Sequence, residues 1–182
     1  MSNRIPVTTE GNAPEATKPI LTRLKRMSGM VPNVYAIIGH SPASLAPMLE
    51  WNDAIAKGKL RKREVEQLNL HVSELNGCAY CVSAHTAVAT RVGLSADEIT
   101  AARSGAGSNE RENAILALAR RVVRTGGSRA GTDLARLREA GVSDEEIIDV
   151  LAVVALNAFR NAVNVVGAAE IDFPKAPRLP SD

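Results

Sequence analysis

Residues 61–85 read RKREVEQLNLHVSELNGCAYCVSAH, and this stretch sets the fold class. Val65, Leu68, Val72 and Leu75 recur at steps of three and four, the stripe of an α-helix rather than the period of two of a strand. Asn76-Gly77 stops that helix, because glycine readily takes the left-handed backbone that ends one. A second helix is expected from about Cys78 to Gly93. At about 100° per residue, Cys78, Cys81 and His85 fall within about 60° of one another. Val82, Val88, Ala89 and Val92 share their face, whereas Ser83, Thr86, Thr90 and Arg91 occupy the other. The two sulfurs and the imidazole are therefore expected to point inward.

The helical reading extends in both directions. Upstream, Ile20, Leu21, Leu24 and Met27 keep helical spacing up to Gly29. Val31-Pro32-Asn33 then breaks into a short helix carrying Val34, Ile37 and Ile38. Ser41-Pro42 has the form of a helix start, with proline at the first helical position, and leads a helix toward Gly58. Downstream, Ser95 to Glu98 and Ser143 to Glu146 match the capping box that opens a helix. Helices are expected from Asn109 to Thr125, from about Thr132 to Ala140, and from Ile147 to about Gly167 with a bend near Asn157. The Pro-limited tail from Asp172 to Pro177 is extended. No alternating strand pattern occurs, so the fold class is all-α, a multi-helix bundle. The organisation expected is a flexible arm over residues 1–15, one helical domain over 16–177 and a tail over 178–182.

Composition narrows the function. The chain has 182 residues, 45% apolar and 23% charged, with a net charge of +2. That is the balance of a soluble globular domain. Basic residues are dispersed and aromatic residues make up only 3%, whereas a nucleic-acid binder needs a dense basic face and stacking side chains. The most apolar run, Ile147 to Phe159, is too short to span a bilayer and contains Asp149 and Asn157. The polar segment from Met1 to Pro19 has no signal-peptide pattern. The two cysteines, three residues apart, cannot staple a fold in the manner of a secreted scaffold. A cytoplasmic protein with no nucleic-acid or membrane partner is expected.

In a reducing compartment such a pair is catalytic, redox-sensing or metal-binding. A histidine one turn from a cysteine can take its proton directly or through a water. Once one sulfur is oxidised to a sulfenic acid, the other can close a disulfide before overoxidation. Zinc is a rival, since Cys78, Cys81 and His85 supply three ligands, but no second CxxC or histidine pair completes the set. Tyr80 lies on the far side of its helix by angle, as a packing or interface residue. His40 and His71 have no partner at a useful spacing.

The stretch resembles the carboxymuconolactone decarboxylase-like superfamily, and within it the alkylhydroperoxidase D-like, peroxidase-related branch. That branch has a glutamate, eleven residues, a cysteine, two residues, a cysteine, three residues and a histidine. The pattern falls here on Glu66, Cys78, Cys81 and His85. Val31-Pro32-Asn33, the Ser41-Pro42 helix start, and the segments Asn157 to Asn161 and Glu170 to Pro174 are similar too, so the likeness covers roughly residues 20–177.

The resemblance implies an all-α fold, a homo-oligomer (trimer or hexamer) and a thiol peroxidase acting on hydrogen peroxide or organic hydroperoxides. It implies Cys81 as the attacking thiol, Cys78 as the resolving one, and Glu66 and His85 as a proton relay. The reductant would be a lipoyl-bearing or thioredoxin-like protein, and the cycle calls for no metal, haem or flavin cofactor. Helix-dipole reasoning alone favours Cys78 as nucleophile, while the relay favours Cys81. Periodicity alone puts Glu66 off the Val65–Leu75 stripe, as a surface acid. Where better-studied members have a second histidine between the cysteines this chain has Tyr80, a poor base at neutral pH, which points to weaker peroxidase activity or a different substrate. A lactone decarboxylase and a non-enzymatic redox sensor are the alternatives.

Overall fold

The computed structural model describes residues 3–179. It contains nine helices and, among the described residues, no strand. They are α1 (Lys18–Ser28), α2 (Asn33–Ile38), α3 (Pro42–Ile55), α4 (Lys62–Leu75), α5 (Ala79–Arg91), α6 (Ala96–Ser104), α7 (Glu110–Thr125), α8 (Gly131–Glu139) and α9 (Asp144–Gly167). The all-α bundle expected from periodicity is present, and the capping boxes form. Ser95 Oγ accepts the Glu98 N–H at 3.2 Å, and Glu98 returns a carboxylate to the Ser95 N–H at 2.9 Å. Ser143 and Glu146 repeat the exchange at the head of α9. Each pair satisfies two backbone donors that a helix start leaves open.

α4 is the axis of the molecule, with α5, α6, α7 and α9 packed around it. This corrects the amphipathic reading of α4. Glu64, Glu66, Gln67, Asn69, His71 and Ser73 are buried along with Leu68, Leu70 and Val72. A helix covered on all sides has no solvent face to carry its polar residues, so its polar side chains must find internal partners. They do. Arg111 of α7 donates to Glu64 at 2.7 Å, Gln67 donates to Glu112 at 2.9 Å, and His71 bonds the Arg103 carbonyl at 3.1 Å. Burial holds the His71 imidazole below its ordinary pKa despite that carbonyl, so it serves as a neutral core histidine.

Of three apolar clusters around the axis, two are large. One joins α4, α7, α8 and α9 through Leu68, Leu116, Leu137 and Val150. The other joins α1, α2, α3, α5 and the second half of α9, and includes Leu45, Met48, Cys78, Tyr80 and Cys81. Each fully buried leucine adds roughly 1.5–3 kcal/mol of transfer free energy. α9 runs unbroken through Asn157, whose amide turns sideways to α4.

Both ends of the described chain lie against the body. The Thr8 N–H bonds the Ala36 carbonyl at 3.0 Å and the Arg4 N–H bonds the Gly167 carbonyl at 2.7 Å. At the other end Asp172 accepts the Asn33 N–H at 2.7 Å, the Ala176 N–H bonds Ser83 Oγ at 3.1 Å, and Arg103 holds the Pro177 carbonyl at 2.8 Å. Residues 1–2 of the expected arm and 180–182 of the expected tail lie outside the described residues.

Candidate active site

The site forms where α4, α5 and α9 meet. Gly77, at φ +65°, turns the chain from α4 into α5, a conformation that strains any residue with a Cβ. Cys78 is thereby the N-cap of α5, and its sulfur accepts the Cys81 N–H at 3.2 Å. Cys78 and Cys81 are joined as a disulfide, with Cα atoms 5.3 Å apart. Both are buried, at 1% and 4% exposure.

Glu66 is not on the surface. Its carboxylate faces α5, where Oε2 lies 2.9 Å from His85 Nδ1, and Oε1 accepts from Asn69 Nδ2 at 3.3 Å. With Nδ1–H donating to the carboxylate, His85 Nε2 is left as the free acceptor of the ring. His85 and Cys81 line one cavity of about 220 Å³ together with Tyr80, Asn157, Arg160 and Asn164. The structure thus brings Glu66, His85 and Cys81 together across nineteen residues of sequence, as the spacing motif implies.

Cys78 joins this group through its bond to Cys81. It lines a second groove, of about 400 Å³, between the start of α5, Arg103 and the C-terminal segment around Lys175 and Pro177. Both cysteines point inward, as expected, and the bonded pair lies between two openings: Cys78 lines the groove and Cys81 the cavity. Tyr80 is a packing residue, as expected, but it lines the same cavity as Cys81 rather than the far side. It is buried, its oxygen accepts the Val34 N–H at 3.3 Å, and its ring packs edge-on to Phe173 at 5.7 Å. Burial, then the neighbouring Asp172 carboxylate, push the phenol well above its usual range, so it stays protonated.

Sequence reasoning missed what α9 contributes. Asn164 Nδ2 donates to Cys81 Sγ at 3.1 Å. Asn157 Nδ2 bonds the Asn69 carbonyl at 2.9 Å and Ser73 Oγ at 3.2 Å, and Asn161 reaches Ser73 Oγ at 3.3 Å. Arg160 bonds Asn52 Oδ1 at 3.1 Å and Asn69 Oδ1 at 3.4 Å. The available signal was four polar residues at 157, 160, 161 and 164, all on one side of the most apolar helix. Among the described residues no three histidine, cysteine or acidic side chains converge as a metal donor set.

Comparisons with known proteins bear on the family and the fold. The family model for the carboxymuconolactone decarboxylase family matches residues 42–123, which span α3 to most of α7. A peroxidase-related protein from Ralstonia eutropha JMP134, described as an alkylhydroperoxidase AhpD core, superposes with a TM-score of 0.84 at 25% identity, over 94% of this chain and 93% of that one. A peroxidase-related protein from Silicibacter sp. TM1040 gives 0.78 at 23% identity, over 91% and 88% of the two chains. The debrominase Bmp8 gives 0.75 at 23% identity, over 91% and 90%; at these last two identities the likeness is one of fold. No curated protein matches the chain by sequence. By fold, by the family model matched over residues 42–123 and by the motif its core assembles, the chain resembles the carboxymuconolactone decarboxylase and alkylhydroperoxidase D-like superfamily.

Proposed function

We propose that the protein is a thiol peroxidase that reduces hydrogen peroxide or organic hydroperoxides through a Cys78–Cys81 dithiol. The observation that carries this is the Glu66–His85 contact at 2.9 Å, with His85 lining the same cavity as Cys81. In the reduced protein His85 Nε2 takes the Cys81 proton, directly or through a water, and Glu66 stabilises the imidazolium. The Cys81 thiolate attacks the outer oxygen of the peroxide and the O–O bond breaks. Cys81 becomes a sulfenic acid, and the alkoxide leaves as the alcohol with the proton from His85. Cys78 then attacks the Cys81 sulfur, forming the disulfide and releasing water. One hydroperoxide and two thiols become one alcohol, one water and one disulfide.

Cys78, as N-cap beside the open groove, is the sulfur a reductant meets first. A dithiol carried by a lipoyl-bearing or thioredoxin-like protein attacks Cys78, and Cys81 departs as the thiolate beside Asn164 and His85. The cycle suits a reducing compartment such as the cytoplasm. Assembly of the protein with copies of itself is supported by α9, where Ile148 and Val166 are 64% and 62% exposed and Leu151 and Phe159 lie on the open side as well.

The experiment is peroxide turnover with a dithiol reductant in three proteins. The unaltered protein consumes peroxide catalytically. Cys81→Ser is inactive. Cys78→Ser reacts once and stops at a sulfenic acid that dimedone traps. Full turnover by Cys81→Ser would refute the assignment. A disulfide that forms stoichiometrically but never turns over, whatever the reductant, marks a redox sensor instead. Decarboxylation of a carboxymuconolactone that survives loss of both thiols marks the decarboxylase.

A further inference from the structure

We infer that Arg160 makes the cavity beside Cys81 a binding site for a substrate bearing an anionic group, a compact organic hydroperoxide with a carboxylate. Naming the substrate class in this way rests on the peroxidase reading above.

Arg160 is 8% exposed and lines the cavity that holds Cys81 and His85. It forms no ion pair among the described residues, although ten such pairs exist elsewhere. Its bonding partners are the neutral amide oxygens of Asn52 and Asn69, and Nε has no partner among the described residues. A compensating charge, Glu66, is one side chain removed. Asn69 turns Oδ1 to Arg160 and Nδ2 to Glu66, and the other oxygen of Glu66 is taken by His85. A buried guanidinium is rare unless a carboxylate or other anion meets it, because desolvating the charge is costly. A guanidinium with no carboxylate partner, on a residue that lines a cavity, is the arrangement that receives an anion from outside the chain.

The rest of the lining sets the body of the ligand. Pro32, Val34, Val88 and Phe173 make most of the wall apolar, so the group between peroxide and carboxylate is hydrocarbon. The volume, about 220 Å³, is below the roughly 300–1,000 Å³ of a drug-sized site, which favours a small aromatic or short-chain skeleton. Asn164, whose Nδ2 donates to Cys81 Sγ at 3.1 Å, lines the cavity at its sulfur end.

The test separates binding from turnover. Calorimetry compares 4-isopropylbenzoate with 4-isopropylbenzamide, which matches it in shape but lacks the charge, on the unaltered protein, Arg160→Lys and Arg160→Met. The benzoate is expected to bind about tenfold or more tightly than the amide, the worth of one charge-assisted hydrogen bond. Arg160→Lys should keep part of that preference, and Arg160→Met should bring the ratio near one. Stopped-flow oxidation of the dithiol by cumene hydroperoxide and by its ring-carboxylated analogue should show the same ratio in kcat/KM, carried by KM. Equal binding of benzoate and benzamide to the unaltered protein overturns the inference, whether or not the variants fold. Peroxide turnover without a preference for the carboxylated analogue overturns it while leaving the peroxidase reading intact. Arg160-dependent benzoate binding with no turnover of either hydroperoxide supports the anion site and sinks the peroxidase reading.

Discussion

Replacing Glu66 by glutamine tests the relay with little change of shape. The carboxylate accepts two bonds, from His85 Nδ1 at 2.9 Å and from Asn69 Nδ2 at 3.3 Å. A glutamine can present its oxygen to His85 only by presenting its NH2 to Asn69. Asn69 cannot invert in response, because its own oxygen accepts from Arg160 at 3.4 Å. The variant therefore keeps a neutral bond to the imidazole at most. A bond to a charged group contributes about 1.5–3 kcal/mol and a neutral one about 0.5–1.5 kcal/mol, so the imidazolium loses on the order of 1–2 kcal/mol. At 1.36 kcal/mol per decade that is about a 5- to 30-fold slower reaction of Cys81 with peroxide at pH 7. The assay mixes reduced protein with peroxide, quenches with iodoacetamide and follows disulfide formation by mass. At pH 10, where thiols ionise without a base, the variant and the parent should alkylate at similar rates. A rate within twofold of the parent at pH 7 would refute the relay. An equal deficit at both pH values would show a structural effect in its place.

Three further outcomes follow from the core. Arg111→Leu strips the guanidinium from Glu64, which is 0% exposed and then has only the Arg61 N–H at 2.8 Å; breaking such a pair costs about 3 kcal/mol, or roughly 6–12 °C in Tm, measurable by thermal unfolding. Acidification gives a second test. Arg111 holds the Glu146 carboxyl at about 2, and the Ser95 N–H followed by Arg63 holds Glu98 at about 2, both below the ordinary 4.5. These folded-state values are depressed, so their stability is present above 4.5 and is lost as pH falls from there toward 2; urea midpoints should drop over that window, less steeply in Glu146→Gln. Gly105→Ala should lower Tm without touching the site, since φ is +85° and a Cβ there would meet Arg120 and the His71 ring; a shift under 2 °C would contradict the strain, which is about 1–2 kcal/mol from the backbone alone.

The helices, their caps and the inward Cys81–His85 pair were legible because they depend on local pattern. Glu66 was not, apart from the family spacing, because periodicity assumes one wet face and α4 has none. Tyr80 was misplaced for a related reason. Helical angle fixes where a side chain leaves its own helix, and the segment around Asp172 and Phe173, distant in sequence, decides whether that direction is covered. Arg160 and the asparagines of α9 stood in plain view as polar interruptions of an apolar run, but only tertiary contact shows which groups they face.

The asparagines at 157, 161 and 164 have a consequence for how accurately the molecule is built. Alanine, valine and leucine surfaces tolerate more than one axial setting of two packed helices. Amide groups bonded to the Asn69 carbonyl, Ser73 Oγ and Cys81 Sγ do not. Sliding α9 by one turn, about 5.4 Å, would strand several of them at about 1–3 kcal/mol each. Polarity in the interior therefore acts as a ruler, holding the guanidinium of one helix at a fixed height beside the sulfur of another.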